Sequence, residues 1–400
     1  MTRSEIIAVL QKLIGDTGSG GSNRYERILE ENRPDLILYP NTVEEVSAIV
    51  KQANIYKIPV YPVGNGTRFL EGTKGFFEGI LLSTNRLKGV VEYRPDNMSV
   101  EVQSGLTISE LRDFLVKDNI FFPAGSDHGL DTIGGLIATN GYGRKRYLYK
   151  SSRFYVMGME FVSPQGEIVR VGGRTVKNVS GYDVSQLLAG SWGLFGIITK
   201  VTLRLKPLPE KNIKLSFACQ NLQEIQDITE FLHNEQISLA SFIVKKREAE
   251  IVLQLELEGF KDALEMQEKE LKAKYGFEKS PELTEMTYNS QIHLTVMPDK
   301  SLDIIKRLES WEKRHGIKVD MHGVITNGVF ELEFDELLFN SNMLNELTAD
   351  IQELQGRLVY KGNVIAGIAN DVTYKRLLAN IKRQVDPNSI LVPESLFLKE

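Results

Sequence analysis

The chain has 400 residues, of which 42% are hydrophobic and 25% charged, a composition typical of folded globular proteins that predicts two or three domains. That balance excludes intrinsic disorder, a collagen-like rod and a free-standing minidomain. With 48 basic and 53 acidic side chains the formal charge is −5, so no global cationic field exists to draw a phosphate backbone, and nucleic acid is not expected as a partner.

In chain order, Ile6, Ile7, Leu10, Leu13 and Ile14 recur at helical spacing with Glu5 and Lys12 between them, predicting an amphipathic helix and not an uninterrupted apolar leader. A Gly/Ser-rich loop, Gly15 to Asn23, follows. Asp35 to Pro40 reads as a short buried strand stopped by proline, and Thr42 opens a helix carrying Val43, Val46, Ile49, Val50 and Ala53, with Thr42 and Glu45 as a capping box. Pro59 to Val63 is a second strand that runs into the loop Gly64-Asn-Gly-Thr67. Strands are expected at Ile80 to Ser83, Lys88 to Tyr93 and Ser99 to Gln103. Thr107 then opens a helix with Glu110 three residues on, a second capping box. Beyond the glycine-dense stretch Gly125 to Gly143, strands Val156 to Val162 and Glu167 to Val171 flank the turn Ser163-Pro-Gln-Gly166. A short helix, Asp183 to Ala189, and a long strand, Ile197 to Leu205, close this half at Pro207 and Pro209.

Past Pro209 glycines thin out and strands alternate with amphipathic helices: Lys214 to Ala218, Leu222 to Asn234, Ile251 to Leu257, Lys261 to Tyr275, Leu302 to His315, Val329 to Phe334 and Glu336 to Leu354. This is the pattern of an α+β domain with a partly antiparallel sheet. Trp311 and Phe330 sit on apolar periodicities and read as core. A final helix, Val372 to Gln384, is expected to return to the first domain.

Cys219 is the only cysteine, so the chain holds neither an internal disulfide nor a cysteine-ligated cluster or zinc knuckle of its own. That favours a reducing compartment, and the expected location is the cytoplasm. No stretch approaches the roughly 20 apolar residues of a bilayer span; contact with the inner face of a membrane would come only through a partner.

Three glycine-rich segments lie in the first half: Pro62 to Thr67, Thr132 to Gly141, and Ala189 to Gly196. Glycine permits positive φ and close approach of a ligand, so successive N–H groups can converge on a phosphate, although each loop alone also reads as a tight turn. Gly64, Gly66 and Phe69 do not complete G-x-G-x-x-G, and no loop supplies G-x-x-x-x-G-K-[ST], which excludes both common nucleotide fingerprints.

Taken in order, Pro59 to Thr67, Thr132 to Asn140, Gly172 to Asp183 and Gly190 to Thr199 resemble the FAD-binding PCMH-type fold of the vanillyl-alcohol oxidase and p-cresol methylhydroxylase superfamily. The resemblance covers residues 30 to 208. Its third segment looks especially like the FAD-binding subunits of bacterial glycolate oxidase, with closer affinity to the smaller, metal-motif-lacking type. It implies an α+β chain made of an N-terminal helix and loop (residues 1–30), a two-subdomain FAD-binding domain (31–208), a ferredoxin-like α+β cap or substrate domain (209–370) and a C-terminal helix returning to the FAD domain (371–400).

The resemblance also implies a cofactor map. Tyr61, Pro62, Gly64, Asn65, Gly66 and Thr67 would cradle the pyrophosphate. Gly125, Thr132, Gly134, Gly135, Ala138, Thr139 and Gly141 would line the isoalloxazine and ribityl side, and Gly190, Ser191, Gly193, Gly196 and Ile198 would enclose the adenosine half. No histidine or cysteine occurs between Pro59 and Leu70, where relatives with attached flavin carry histidine, so non-covalent FAD is expected.

Oxidation of a 2-hydroxy acid further requires a group for the hydroxyl proton and a cation for the carboxylate. Relatives place a metal-binding H-x-G-D-G-N-x-H motif in the cap. The matching stretch here, His322 to Glu331, lacks the second histidine and the acidic residue, and the five histidines show no close pairing, so no metal is expected. His322 reads as a base or as an ordinary strand residue. Arg144, in the run Arg144-Lys-Arg146, and Arg153 read as carboxylate grips; a solvated surface or a partner contact are the alternatives for that run. Lys177 and Tyr182 could touch flavin or substrate, and Trp192 replaces the glutamate of the family's G-S-E-G.

The implied function is an FAD-linked dehydrogenase or oxidase subunit for a small 2-hydroxy acid such as glycolate or D-lactate. Electrons would leave through a separate iron–sulfur subunit or another acceptor. The alternative is a non-catalytic FAD-bearing accessory subunit paired with a larger FAD-binding paralogue.

Overall fold

A computed structural model describes residues 5, 9–10, 34–67, 78–125, 129–173, 184–248, 250–283, 292–334, 340–360, 363–366 and 372–392. Ile6, Ile7, Leu13, Ile14, Lys177 and Tyr182 lie outside the described residues. The chain divides into two compact units: residues 1–143, 151–208 and 372–400 form the first, and residues 144–150 and 209–371 the second.

The first unit has two main layers of strands. In the first sheet β1 (Leu36–Leu38) and β2 (Val60–Val63) pair in parallel with β3 (Ile80–Ser83) between them. Helix α1 (Val43–Tyr56) makes the crossover from β1 to β2. Its Val46, Ile49, Val50 and Ala53, spaced for one helical face, are fully buried against Leu38, Val60, Ile80 and Leu82. Leu10 joins the same core. The Thr42 hydroxyl caps α1 by accepting from Glu45 N, but the Glu45 carboxylate accepts from Asn41 N, one residue earlier than a capping box requires.

The second sheet runs β4 (Val90–Arg94), β5 (Ser99–Gln103), β9 (Ile197–Arg204), β7 (Val156–Val162), β8 (Ile168–Gly172), antiparallel throughout. Val100 and Val102 point into a core shared with α2 (Ile108–Leu115) and α3 (Ile133–Ala138), and Ser99, Glu101 and Gln103 alternate outward. The capping box expected at Thr107 and Glu110 is complete. A small antiparallel pair, β6 (Ile120–Phe121) with β10 (Lys206–Pro207), finishes the unit's sheets.

The second unit contains the short helix α4 (Arg146–Tyr149) and one nine-stranded sheet. Its first half is β11 (Lys211–Cys219), α6 (Leu222–Asn234), β12 (Leu239–Arg247), β13 (Glu250–Gly259), α7 (Lys261–Tyr275) and β14 (Glu278–Lys279); α5 (Val184–Leu188) belongs to the first unit. The second half is β15 (Ile292–Thr295), α8 (Ser301–His315), β16 (Val319–Val324), β17 (Val329–Phe334), α9 (Ser341–Glu353) and β18 (Arg357–Tyr360), with β19 (Asn363–Ala366) added at the edge.

Each half is a βαββαβ unit whose fourth strand lies beside its first, followed by the third and the second, and the two halves join where β12 pairs with β16. The sequence pattern predicted a partly antiparallel sheet, whereas every described pairing here is antiparallel. The reason is geometric. Each helical crossover skips one position, which a strand of opposite direction then fills.

All four long helices of this unit cover one face of the sheet, where Ile228, Leu264, Trp311, Phe330 and Leu347 are buried, as expected for Trp311 and Phe330. On the other face, along the same strands, stand Glu256, Glu258, His322 and Glu331. The final helix α10 (Val372–Val385) belongs to the first unit.

Candidate functional site

The three glycine segments meet in the first unit. Strand β2 ends at Val63, and Gly64 lies so close to the start of α3 that a Cβ there would stand 2.1 Å from Thr132 Oγ1. Asn65 Nδ2 donates to Leu130 O at 2.6 Å, and the Thr67 hydroxyl donates to the buried Asp131 carboxylate at 2.6 Å. Side chains thus fasten the first segment to the second while Gly66 turns with φ +74°. Among the described residues the N–H groups of Gly66 and Thr67 meet no protein acceptor.

Thr132 caps α3 by accepting from Gly135 N, and Gly134 N donates to Ser104 O at 2.8 Å, which seats α3 on the end of β5. The C-terminal carbonyls of α3 hold the third segment: Gly190 N donates to Ile137 O at 3.0 Å and Trp192 N to Ala138 O at 2.8 Å. The third segment also reaches the first, because a Cβ on Gly193 would lie 2.6 Å from Pro62 Cγ.

The Thr139 hydroxyl returns to Gly135 O, Gly141 N to Leu136 O, and Gly141 O accepts from Ser152 N. Gly125 (φ +141°) lies over the first turn of α2, beside Ile108. Ser191 is buried, Gly196 packs on Phe161, and Ile198 pairs with Phe161 across β9 and β7. Tyr61 is buried as well; burial, then Asp35 and Glu78, push its phenol up to about 12, so the ring packs and its backbone carries the chain into the loop. Trp192 holds a left-handed backbone (φ 55°), a conformation that costs a non-glycine residue about 1–3 kcal/mol and clusters at ligand sites.

The structure therefore brings eighteen expected cofactor positions onto one unit, with the three glycine segments in mutual contact. Their chemistry suits a dinucleotide. The N–H groups of Gly66 and Thr67 meet no protein acceptor among the described residues, and small residues allow the loops to approach.

The expected catalytic residues are divided between the two units. Arg153 stays in the first unit, where its Nη2 donates to Gln186 O (2.8 Å) and Ala189 O (3.3 Å) at the end of α5. Its backbone N reaches Asn140 Oδ1, so it ties the second and third segments together. Arg144 belongs to the second unit and grips Glu256 through Nε (3.0 Å) and Nη2 (3.4 Å). Lys145 pairs with both Glu256 and Glu258, Asn212 donates to both carboxylates, and the Tyr149 hydroxyl donates to Glu258 at 2.7 Å. Burial alone would raise the Glu256 carboxyl, but Lys145 and Arg144 outweigh it and hold it below the usual range.

His322, on β16, stands between Lys245 of β12 and Glu331 of β17, and His293 of β15 continues the row with Nδ1 3.7 Å from Glu331. Its Nε2 is buried without a partner among the described residues. Burial first, and the Lys245 cation second, lower its pKa to about 4, so the imidazole is neutral and can accept a proton or a hydrogen bond. Lys245 and His293 were missed by sequence reasoning, since only strand register puts residues so far apart in the chain into one row. No group of three or more His, Cys, Asp or Glu that could hold a metal ion occurs among the described residues.

The FAD binding domain family matches residues 34–172. The chain is similar to a D-lactate dehydrogenase of Archaeoglobus fulgidus, 35% identical over 54% of this chain and 48% of the relative. A D-lactate dehydrogenase of Anaerostipes hadrus is 32% identical over 62% and 52%. The glycolate oxidase subunit GlcD of Bacillus subtilis is 32% identical over 50% and 43%. The chain thus spans about half the length of the curated relatives it matches. Among solved structures, an alkyldihydroxyacetonephosphate synthase aligns with TM-score 0.67 over 89% of this chain and 76% of that one at 16% identity, a likeness of fold alone. Residues 34–172 are accordingly a PCMH-type FAD binding domain, and FAD is the cofactor of the chain.

Proposed function

We propose that the chain is an FAD-dependent oxidoreductase subunit that oxidises a small 2-hydroxy acid of the glycolate, D-lactate or D-2-hydroxyglutarate type. The observation that carries the reading is the mutual contact of the three glycine segments, with the Gly66 and Thr67 amides meeting no acceptor among the described residues. The similarity to D-lactate dehydrogenases, to glycolate oxidase subunit GlcD and to a D-2-hydroxyglutarate dehydrogenase of Xanthomonas citri supplies the substrate class.

FAD, held without a covalent bond, supplies the acceptor for the C2 hydride. The neutral imidazole of His322 is our candidate for the hydroxyl proton, and the Arg144 guanidinium for the carboxylate. Arg153, bonded to two backbone carbonyls, keeps the loops in place. Electrons then pass to an iron–sulfur partner or another acceptor, and in the cytoplasm any membrane contact is peripheral and through that partner. No described helix is long and apolar enough to cross a membrane.

The engagement of Arg144 by Glu256 and of Arg153 by main-chain oxygens favours a second reading, an accessory FAD-bearing subunit. Anaerobic visible spectra of the purified flavoprotein separate the two. Glycolate, either lactate enantiomer or D-2-hydroxyglutarate is expected to bleach the oxidised flavin band; a bound flavin that none of them bleaches would leave only the accessory role.

A further inference from the structure

Lys382 is a lysine almost entirely removed from water: its side chain is 2% exposed, and it lies on α10, 188 residues from Leu194 of the third glycine segment. Lysine is seldom buried so deeply unless its charge is matched. Here the counter-charge is Asp386, one helical turn on and equally buried, at 2.6 Å. The ammonium also donates to two main-chain oxygens: Leu194 O at 2.8 Å, inside the third glycine segment, and Leu391 O.

The Asp386 carboxylate in turn accepts from Ile390 N (3.0 Å) and Leu391 N (2.8 Å), curling the chain after α10 into a fixed turn. That turn docks on the first sheet. Val60 N donates to Ile390 O at 2.7 Å and Val392 N to Val60 O at 3.0 Å, a parallel bridge centred on Leu391. Val60 is the first residue of β2, whose end delivers Gly64 to Thr67. Between the two loops, Gly193 packs on Pro62, with Val392 the next neighbour.

We propose that Lys382 is a positioning residue for FAD: one ammonium fixes the spacing between the third glycine segment, through Leu194 O, and the strand that carries the first, through Leu391 O. Both loops belong to the cofactor site, so the residue acts through them and touches no ligand. A polar strut suits this task because its direction is set by three acceptors, whereas an apolar contact leaves a loop free to slide.

The test separates position from stability. Lys382→Met leaves Asp386 buried without its cation, and a large loss of stability is expected. Adding Asp386→Asn removes that orphaned charge and keeps a side-chain oxygen to accept from the turn's amides, which recovers much of the loss while the bonds to Leu194 O and Leu391 O stay absent. Apoprotein of the wild type, both variants and a core control, Leu111→Ala, is titrated with FAD, and thermal unfolding is followed in parallel. The double variant is expected to regain most of the lost melting temperature yet to bind FAD about tenfold more weakly than wild type. Leu111→Ala should lose stability and keep its FAD affinity. A double variant, or a folded Lys382→Met, that binds FAD as tightly as wild type overturns the proposal and leaves Lys382 a structural anchor. Wild-type apoprotein that takes up no FAD overturns the cofactor assignment itself, a different failure.

Discussion

Two regions, the glycine segments of the first unit and the charged sheet face of the second, treat buried polar groups in opposite ways. In the first, the polar groups around the glycine segments are main-chain amides and carbonyls, fastened by Asn65, Thr67 and Arg153, and the Gly66 and Thr67 amides meet no protein acceptor among the described residues. In the second, the buried polar face is made of side chains: Arg144 and Lys145 neutralise Glu256 and Glu258, and a neutral His322 stands opposite Glu331 in the strand register. The difference teaches that a cofactor site depends on backbone path, and a charged sheet face on pairing. Substitutions in the glycine segments should therefore report on cofactor, and those in the charged sheet face on stability.

The sharpest break of that contrast is Arg144→Met. It leaves Glu256, 1% exposed, with Lys145 and Asn212 but without its bidentate partner, and the expected cost is about 3 kcal/mol in chemical denaturation, with FAD content per folded molecule unchanged. A parallel loss of FAD at full folding would show that the charged face also shapes the cofactor site.

Next comes acid. The folded chain keeps His322 neutral down to about 4, while the unfolded chain protonates it near the ordinary 6.5. Because the folded value is lowered, the contribution is fully present above pH 6.5 and is lost as pH falls toward 4, on the order of 3 kcal/mol in all. Denaturation curves across that window should steepen with acid for wild type and flatten for His322→Gln. Equal acid sensitivity of the two would remove His322 as the cause.

Smaller in stability but larger for cofactor is Gly64→Ala. The new methyl would stand 2.1 Å from Thr132 Oγ1, an overpacking that costs about 2 kcal/mol and pushes the first glycine segment from the second. Flavin absorbance per mole of purified protein should fall sharply; an unchanged ratio would mean that the loops need not touch to hold FAD.

Much of the first unit was legible because its signals are fixed to single residue types. Glycines at positive φ, Thr107 with Glu110, and the Ser163 to Gly166 turn each demand one local geometry, and the structure has them. In the second unit the helices Leu222–Asn234 and Lys261–Tyr275 fall at the bounds read from their apolar stripes. Strand β12 was missed because six consecutive residues from Leu239 to Val244 are buried, which erases the alternation that marks a half-exposed strand. The partner of Arg144 was equally hidden: 112 residues separate it from Glu256, and no local pattern encodes a contact that only the nine-stranded sheet creates. The duplication of the βαββαβ unit escaped notice for a related reason, since it is a repeat of topology with no fixed period in the sequence.

The docking of Ile390 to Val392 on the edge of β2 has a consequence for the order of biosynthesis. Domains generally form as the ribosome releases them, N-terminal first, but here the first sheet has an edge that stays open until residues 390–392 emerge, after the whole second unit has been made. At usual elongation rates that delay is on the order of ten seconds or more. An open parallel edge is a template for mispairing. The second unit can complete its own sheet in that interval, so the nascent chain holds a finished second unit while its first unit still waits for the bridge at Leu391.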